Sequence, residues 1–186
     1  MTVNYPQPSP ERSALLEQIK DKALFRGEFT LSSGLKADYY VDLRLINLAG
    51  ATAPLVGRVM LETVKDVEFD AVGGLTMGAD PVAAAIMHAA VAQGRPMDAF
   101  VVRKAGKAHG LQRRIEGPDL AGRRVLIVED ASTTGNSPLA AVEAAREAGA
   151  EIAAVACIIE RGAAKAILAA GLPYYAAYNE EDLGVR

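Results

Sequence analysis

With 186 residues, 51% of them apolar and 23% charged, the chain can bury one sizeable core and fits a single domain, 1–186. A formal charge of -3 excludes the global positive field that holds nucleic acid or an anionic membrane, so any anion site must come from local clusters. No apolar run reaches the roughly 18 residues of a membrane helix, and the start of the chain, with Pro6, Pro8 and Pro10, lacks a charged-then-apolar leader, so a cytoplasmic location is expected.

In chain order, Ser9-Pro10 opens a predicted helix that runs to about Lys22, because proline in a first helical turn gives up an N–H that has no partner there. A Gly-, Tyr- and Asp-rich stretch follows, from Gly27 to Arg44, and reads as a strand with a turn at Ser33-Gly34 inside a small N-terminal hood, about 1–50. The core, about 51–175, is expected to hold buried strands over 69–73, 99–102, 124–128 and 152–159. Asp80-Pro81 and Ser137-Pro138 open helices between them that end before Gly94 and Gly149. Two strand-helix-strand units of this kind predict an α/β fold, a central mainly parallel sheet flanked by helices. Ligands in such sheets bind outside the carboxyl ends of the strands, at the loops beginning with Gly73, Arg103, Glu129 and Glu160.

The loop from Arg103 to Gly117 carries five Lys or Arg, one His and one Glu in an otherwise acidic chain, with three glycines for mobility. It reads as a basic lid for an anionic partner; a plain solvated loop is the alternative. The strand Val125-Leu126-Ile127-Val128 ends in Glu129-Asp130, followed by Ala131-Ser132-Thr133-Thr134-Gly135-Asn136-Ser137. Hydroxyls beside a helix N-terminus suit a phosphate, although the same residues suit an ordinary helix cap. Two acids directly before the cradle favour a ligand that also brings donors, such as a ribose. Neither a Walker A loop nor a dinucleotide fingerprint is present. Cys157 is the lone cysteine and reads as a buried thiol of a reducing compartment; His88 reads as structural. Arg161, alone at a strand end, reads on its own as a solvated side chain.

The apolar strand, two acids, small residue and Thr-Thr-Gly resemble the motif with which type I phosphoribosyltransferases bind phosphoribosyl pyrophosphate (PRPP). That resemblance implies Glu129 and Asp130 on the ribose hydroxyls and Ala131, Ser132, Thr133, Thr134, Gly135, Asn136 and Ser137 around the 5-phosphate. Asn136 stands where relatives usually have a second glycine. The order Arg-Lys-x-x-Lys-x-His-Gly is similar to the catalytic loop of the orotate phosphoribosyltransferases, with Arg103, Lys104, Lys107 and His109 at the matching places. The resemblance implies catalysis and PRPP contacts from these four, Mg²⁺ held mainly through PRPP with no protein ligand set, and a homodimer that shares the loop between subunits. It further implies an orotate pocket from Thr133, Arg161, Tyr39 and Tyr40. Many relatives carry a lysine where Ser32 stands and some carry another near Met77, and both are absent. A salvage enzyme for adenine or uracil, or an RNA-binding regulator on the same fold, are the rival readings. The first needs neither Arg161 nor the basic spacing, and the second needs a wider basic face.

Overall fold

The computed structural model describes residues 2–30, 36–104 and 114–185. Helix α1 (Pro10–Lys22) is followed by strands β1 (Leu24–Thr30) and β2 (Lys36–Val41), then helices α2 (Arg44–Asn47) and α3 (Ala53–Thr63). Next come β3 (Ala71–Leu75), α4 (Ala79–Ala92), β4 (Asp98–Val102), β5 (Ile115–Glu116), β6 (Arg124–Ser132) and α5 (Asn136–Glu147). The chain continues through β7 (Glu151–Glu160), α6 (Ala164–Ala169), β8 (Tyr174–Asn179) and α7 (Glu180–Leu183). The main sheet has the order β5-β4-β3-β6-β7-β8 and is parallel except for β5, which runs antiparallel to β4 at one edge. β1 and β2 form a separate antiparallel pair, the hood.

Helices cover both faces of this sheet, and that explains its nearly continuous apolar strands. Along β6, Leu126 and Val128 pack with α1, α3 and α4, while Val125 and Ile127 pack with α5 and α6 on the other face. Crossing from β6 to β7 brings the ends of the two strands level, with Ser132 opposite Glu160.

The expected α/β architecture is present, with local differences. β3 begins two residues later than expected, because Phe69 is held instead under Arg95, whose guanidinium lies 4.3 Å from its ring. β6 runs four residues further, through Ser132, so Glu129 and Asp130 stand in the last part of a strand. α4 and α5 begin two residues before their prolines, at Ala79 and Asn136. Proline still fits, because the N–H groups of a whole first turn lack helical partners. Helix α3 is not among the predicted elements: Thr52 makes no side-chain cap, and its hydroxyl donates to the Ile46 carbonyl at 2.6 Å. His88 is helical as expected but lies exposed on α4.

Candidate active site

The carboxyl ends of β3, β6 and β7 meet at one side of the sheet, and the residues that follow them form the site. After β6 the chain turns at Gly135, whose φ of 80° is open to glycine at little cost, and enters α5. The first helical bond of α5 is donated by the Leu139 N–H to the Gly135 carbonyl, 3.0 Å, so the amides ahead of it have no helical acceptor. Thr133 and Thr134 are exposed beside them, and Ser132 is buried at the strand end. The turn is a ring of donors around the positive end of a helix, suited to a phosphate.

Glu129 is buried and Asp130 half-buried just ahead of this turn. Burial, with the neighbouring Asp130 charge next in weight, pushes the Glu129 carboxyl up to about 8. The Asp130 N–H donates to Glu129 Oε1 at 3.2 Å, and the Ala131 N–H to Asp130 Oδ1 at 2.7 Å. The loop from β3 to α4 closes over both acids. A Cβ placed on Gly78 would collide with Glu129 Oε1 and stand 2.9 Å from Asp130 Oδ1, so a side chain here would push both carboxylates out of place. In the same loop the Thr76-Met77 peptide is cis, Thr76 Oγ1 donates to Asp80 Oδ2 at 2.7 Å, and Met77 is 61% exposed.

Arg161 directly follows β7. Its N–H donates to the Ser132 carbonyl at 2.9 Å, and a Cβ on Gly162 would stand 3.2 Å from the Thr133 carbonyl, so the Arg161 turn and the phosphate turn are in contact. Glu160 secures that turn by accepting from the N–H groups of Gly162 (2.7 Å) and Ala164 (3.0 Å). The Arg161 guanidinium lies over the Tyr39 ring, 4.6 Å from its centre, and Nε donates to the Tyr39 hydroxyl at 3.0 Å.

Tyr39 and Tyr40 point to opposite faces of β2, as adjacent strand residues do, one buried and one exposed. Tyr39 is 6% exposed and turned inward to Arg161 and Glu180. Tyr40 is 36% exposed, packs 5.9 Å from Phe29, and accepts from Arg44 Nη2 at 3.3 Å. Arg44 itself grips Asp42 through Nε (2.7 Å) and Nη2 (2.9 Å), which holds the Asp42 carboxyl below its ordinary range.

Of the basic loop, Arg103 and Lys104 lie within the described residues, whereas Lys107 and His109 lie outside them, as does Ser32. The Arg103 N–H donates to the Arg114 carbonyl at 2.8 Å and so closes the base of the loop. Arg103 has an acidic neighbour in Glu116, 3.4 Å away, because β5 folds back beside β4. Gly78 and Glu180 were not singled out in the sequence.

Residues 49–167 match the family described as phosphoribosyl transferase domain. The chain is 68% identical over 177 residues to the orotate phosphoribosyltransferase of Streptomyces avermitilis, covering 94% of this chain and 97% of that protein. It is 56% identical over 176 residues to that of Corynebacterium glutamicum, covering 94% of each. Among solved structures, Mycobacterium tuberculosis orotate phosphoribosyltransferase with Fe(III) dicitrate aligns with a TM-score of 0.85 at 52% identity, over 94% of this chain and 99% of that one. The same enzyme in complex with PRPP aligns with a TM-score of 0.81 at 48% identity, over 94% and 99%. Adenine phosphoribosyltransferase from Thermoanaerobacter pseudethanolicus, at 18% identity and a TM-score of 0.63 over 88% of this chain and 99% of that one, shares the fold alone. The chain thus belongs to the phosphoribosyl transferase domain family and, within it, to the orotate phosphoribosyltransferases.

Proposed function

We propose that this site joins orotate to the ribose of PRPP, releasing pyrophosphate and forming orotidine 5'-monophosphate for pyrimidine biosynthesis, with the following division of labour. The 5-phosphate sits in the turn from Ala131 to Ser137. Glu129 and Asp130 accept from the ribose hydroxyls. The orotate carboxylate meets Arg161 with Thr133 beside it, and Tyr40 lies along the ring's open side. The observation that carries the reading is the contact between the phosphate turn and the Arg161 turn, which sets an anion cradle and a guanidinium side by side at the carboxyl end of the sheet.

Chemistry follows from charge. As the orotate nitrogen attacks the anomeric carbon, the departing diphosphate gains negative charge while the sugar becomes oxocarbenium-like. Cations that meet the diphosphate only as it leaves lower the barrier more than they tighten the ground state. Arg103, Lys104 and Lys107 take that role, and His109 offers it a proton or hydrogen bond. With the Thr76 N–H donated to the Val102 carbonyl at 2.8 Å, the backbone N–H groups of Met77 and Gly78 are the donors this loop offers in place of a side-chain cation. Closure of the basic loop keeps water from the activated ribose.

In this reading a Mg²⁺ ion arrives on its substrate, because a diphosphate carries hard oxygens of its own. Bound there, Mg²⁺ neutralises diphosphate charge. In this reading residues 1–186 act as one domain and as a homodimer in which the basic loop of one subunit serves the other's site. An apolar groove of about 580 Å³ lined by α3 and α4, with exposed Leu48 at its rim, supports a partner surface. A cytoplasmic location is supported by the single, buried, unpaired thiol of Cys157. Among the described residues no helix is long and apolar enough to cross a membrane.

The test is loss of orotate absorbance on mixing the protein with orotate, PRPP and Mg²⁺, with adenine and uracil in parallel. Consumption of orotate alone supports the reading, and consumption of adenine or uracil instead sinks it. Lys107→Ala should lower kcat by about 100-fold; full turnover in that variant would remove the basic loop from the mechanism.

A further inference from the structure

Arginine on a turn is a loose tool. Its long stem has many rotamers, and a guanidinium that must meet a planar carboxylate needs its free edge aimed before the substrate arrives. The surroundings of Arg161 supply that aim from parts of the chain remote in sequence.

The Tyr39 ring lies beneath the guanidinium, and the Tyr39 oxygen accepts from Nε. A phenol has one hydrogen, and here it is donated to Glu180 Oε1, which leaves the oxygen's lone pairs for Arg161. Burial and the Glu180 carboxylate both raise the Tyr39 phenol above its ordinary range, so it stays protonated and the direction of this chain is kept. Glu180 is itself held. It begins α7, whose start is closed reciprocally by Asn179 and Asp182, and Asp182 is paired at 3.0 Å with Arg12 on α1. Arg12 also donates through Nε to the Ala177 carbonyl at 2.9 Å. With Nε engaged, the two Nη atoms of Arg161 have no protein hydrogen-bond acceptor among the described residues. They form the edge that receives a carboxylate bidentately.

We propose that Tyr39 and Glu180 are positioning residues that hold the Arg161 guanidinium end-on to the substrate, and so set the preference for a base bearing a carboxylate. The inference rests on the reading that Arg161 meets that carboxylate. Tyr39 thereby acts on the base through Arg161, not by stacking on it.

Steady-state kinetics with orotate and PRPP varied separately test this on Tyr39→Phe, Glu180→Ala, Glu180→Gln and Arg161→Lys. Tyr39→Phe keeps the ring and removes the hydroxyl; orotate KM should rise about tenfold, the worth of one hydrogen bond to a charged group. Its kcat and PRPP KM should stay within about twofold, and inhibition by uracil, which has no carboxylate, should be unchanged. Glu180→Ala should shift orotate KM the same way, Glu180→Gln should recover most of the loss because its amide oxygen still accepts, and the double variant should be no worse than Tyr39→Phe alone. If Arg161→Lys raises orotate KM while Tyr39→Phe does not, the positioning role is wrong and the base pocket stands. If Arg161→Lys leaves orotate KM unchanged, the pocket assignment fails and the inference falls with it. A Tyr39→Phe variant whose kcat and both KM values worsen together would reveal a merely structural contact.

Discussion

Glu129 combines burial with an adjacent acid, and its behaviour with pH follows from that placement. Its carboxyl is raised in the folded chain to about 8, well above its unfolded value, so between those two points the native state binds more protons than the unfolded one. Stability of the ligand-free protein should therefore be fullest at the acidic end of this window and decline as pH rises through it, by a contribution on the order of a few kcal/mol. Glu129→Gln should flatten that decline in melting curves taken across the window; an unaltered slope would place the cause elsewhere. Gly78 offers a second test at this scale. Gly78→Ala puts a methyl group into the Glu129 and Asp130 carboxylates, so we expect roughly 1–3 kcal/mol of lost stability and a strongly raised PRPP KM, read by denaturation and kinetics. The Glu129-Asp130 pair was legible because two acids before a Thr-Thr-Gly turn make an unusual local pattern. Gly78 and Glu180 were not, because what they do depends on partners far along the chain: Glu180 is 141 positions from Tyr39.

At the scale of elements, strands covered on both faces wrote themselves as apolar runs, so β6 and β7 were found from hydrophobicity alone. Their ends were harder to see, because β6 carries its pairing through Glu129, Asp130, Ala131 and Ser132, three of them polar, by virtue of β7 alongside. α3 escaped because its N-terminal threonine hydroxyl is spent on the Ile46 carbonyl instead of a cap. β8 escaped because its tyrosines are committed to partners elsewhere, Tyr174 to Cys157 at 3.0 Å and Tyr178 to the Arg12 carbonyl at 2.7 Å. The turn from β6 to α5 carries the prediction for this scale. Gly135 sits at φ 80° with Ala166 Cβ 3.3 Å from where its own Cβ would be. Gly135→Ala should cost about 1–2 kcal/mol of stability and raise PRPP KM several-fold. Normal PRPP kinetics in a destabilised variant would separate the helix cap from the phosphate cradle.

Across the whole molecule, the hood, the sheet and the C-terminal turn are joined at one place. Arg26 Nη2 donates to the Gly184 carbonyl at 3.0 Å, Tyr39 bridges Glu180 and Arg161, and Arg12 ties α1 to Asp182. The bond from the Arg161 N–H to the Ser132 carbonyl has a consequence at this scale. On the proposed division of labour, a ligand that tightens the phosphate turn also tightens the turn carrying Arg161, so the two half-sites should be thermodynamically linked. Linkage is reciprocal: whatever factor ribose 5-phosphate adds to orotate affinity, orotate must return to ribose 5-phosphate. Calorimetric titration of each ligand in the absence and presence of the other should give the same factor, greater than one, in both directions; a factor of one would mean that the turns move independently.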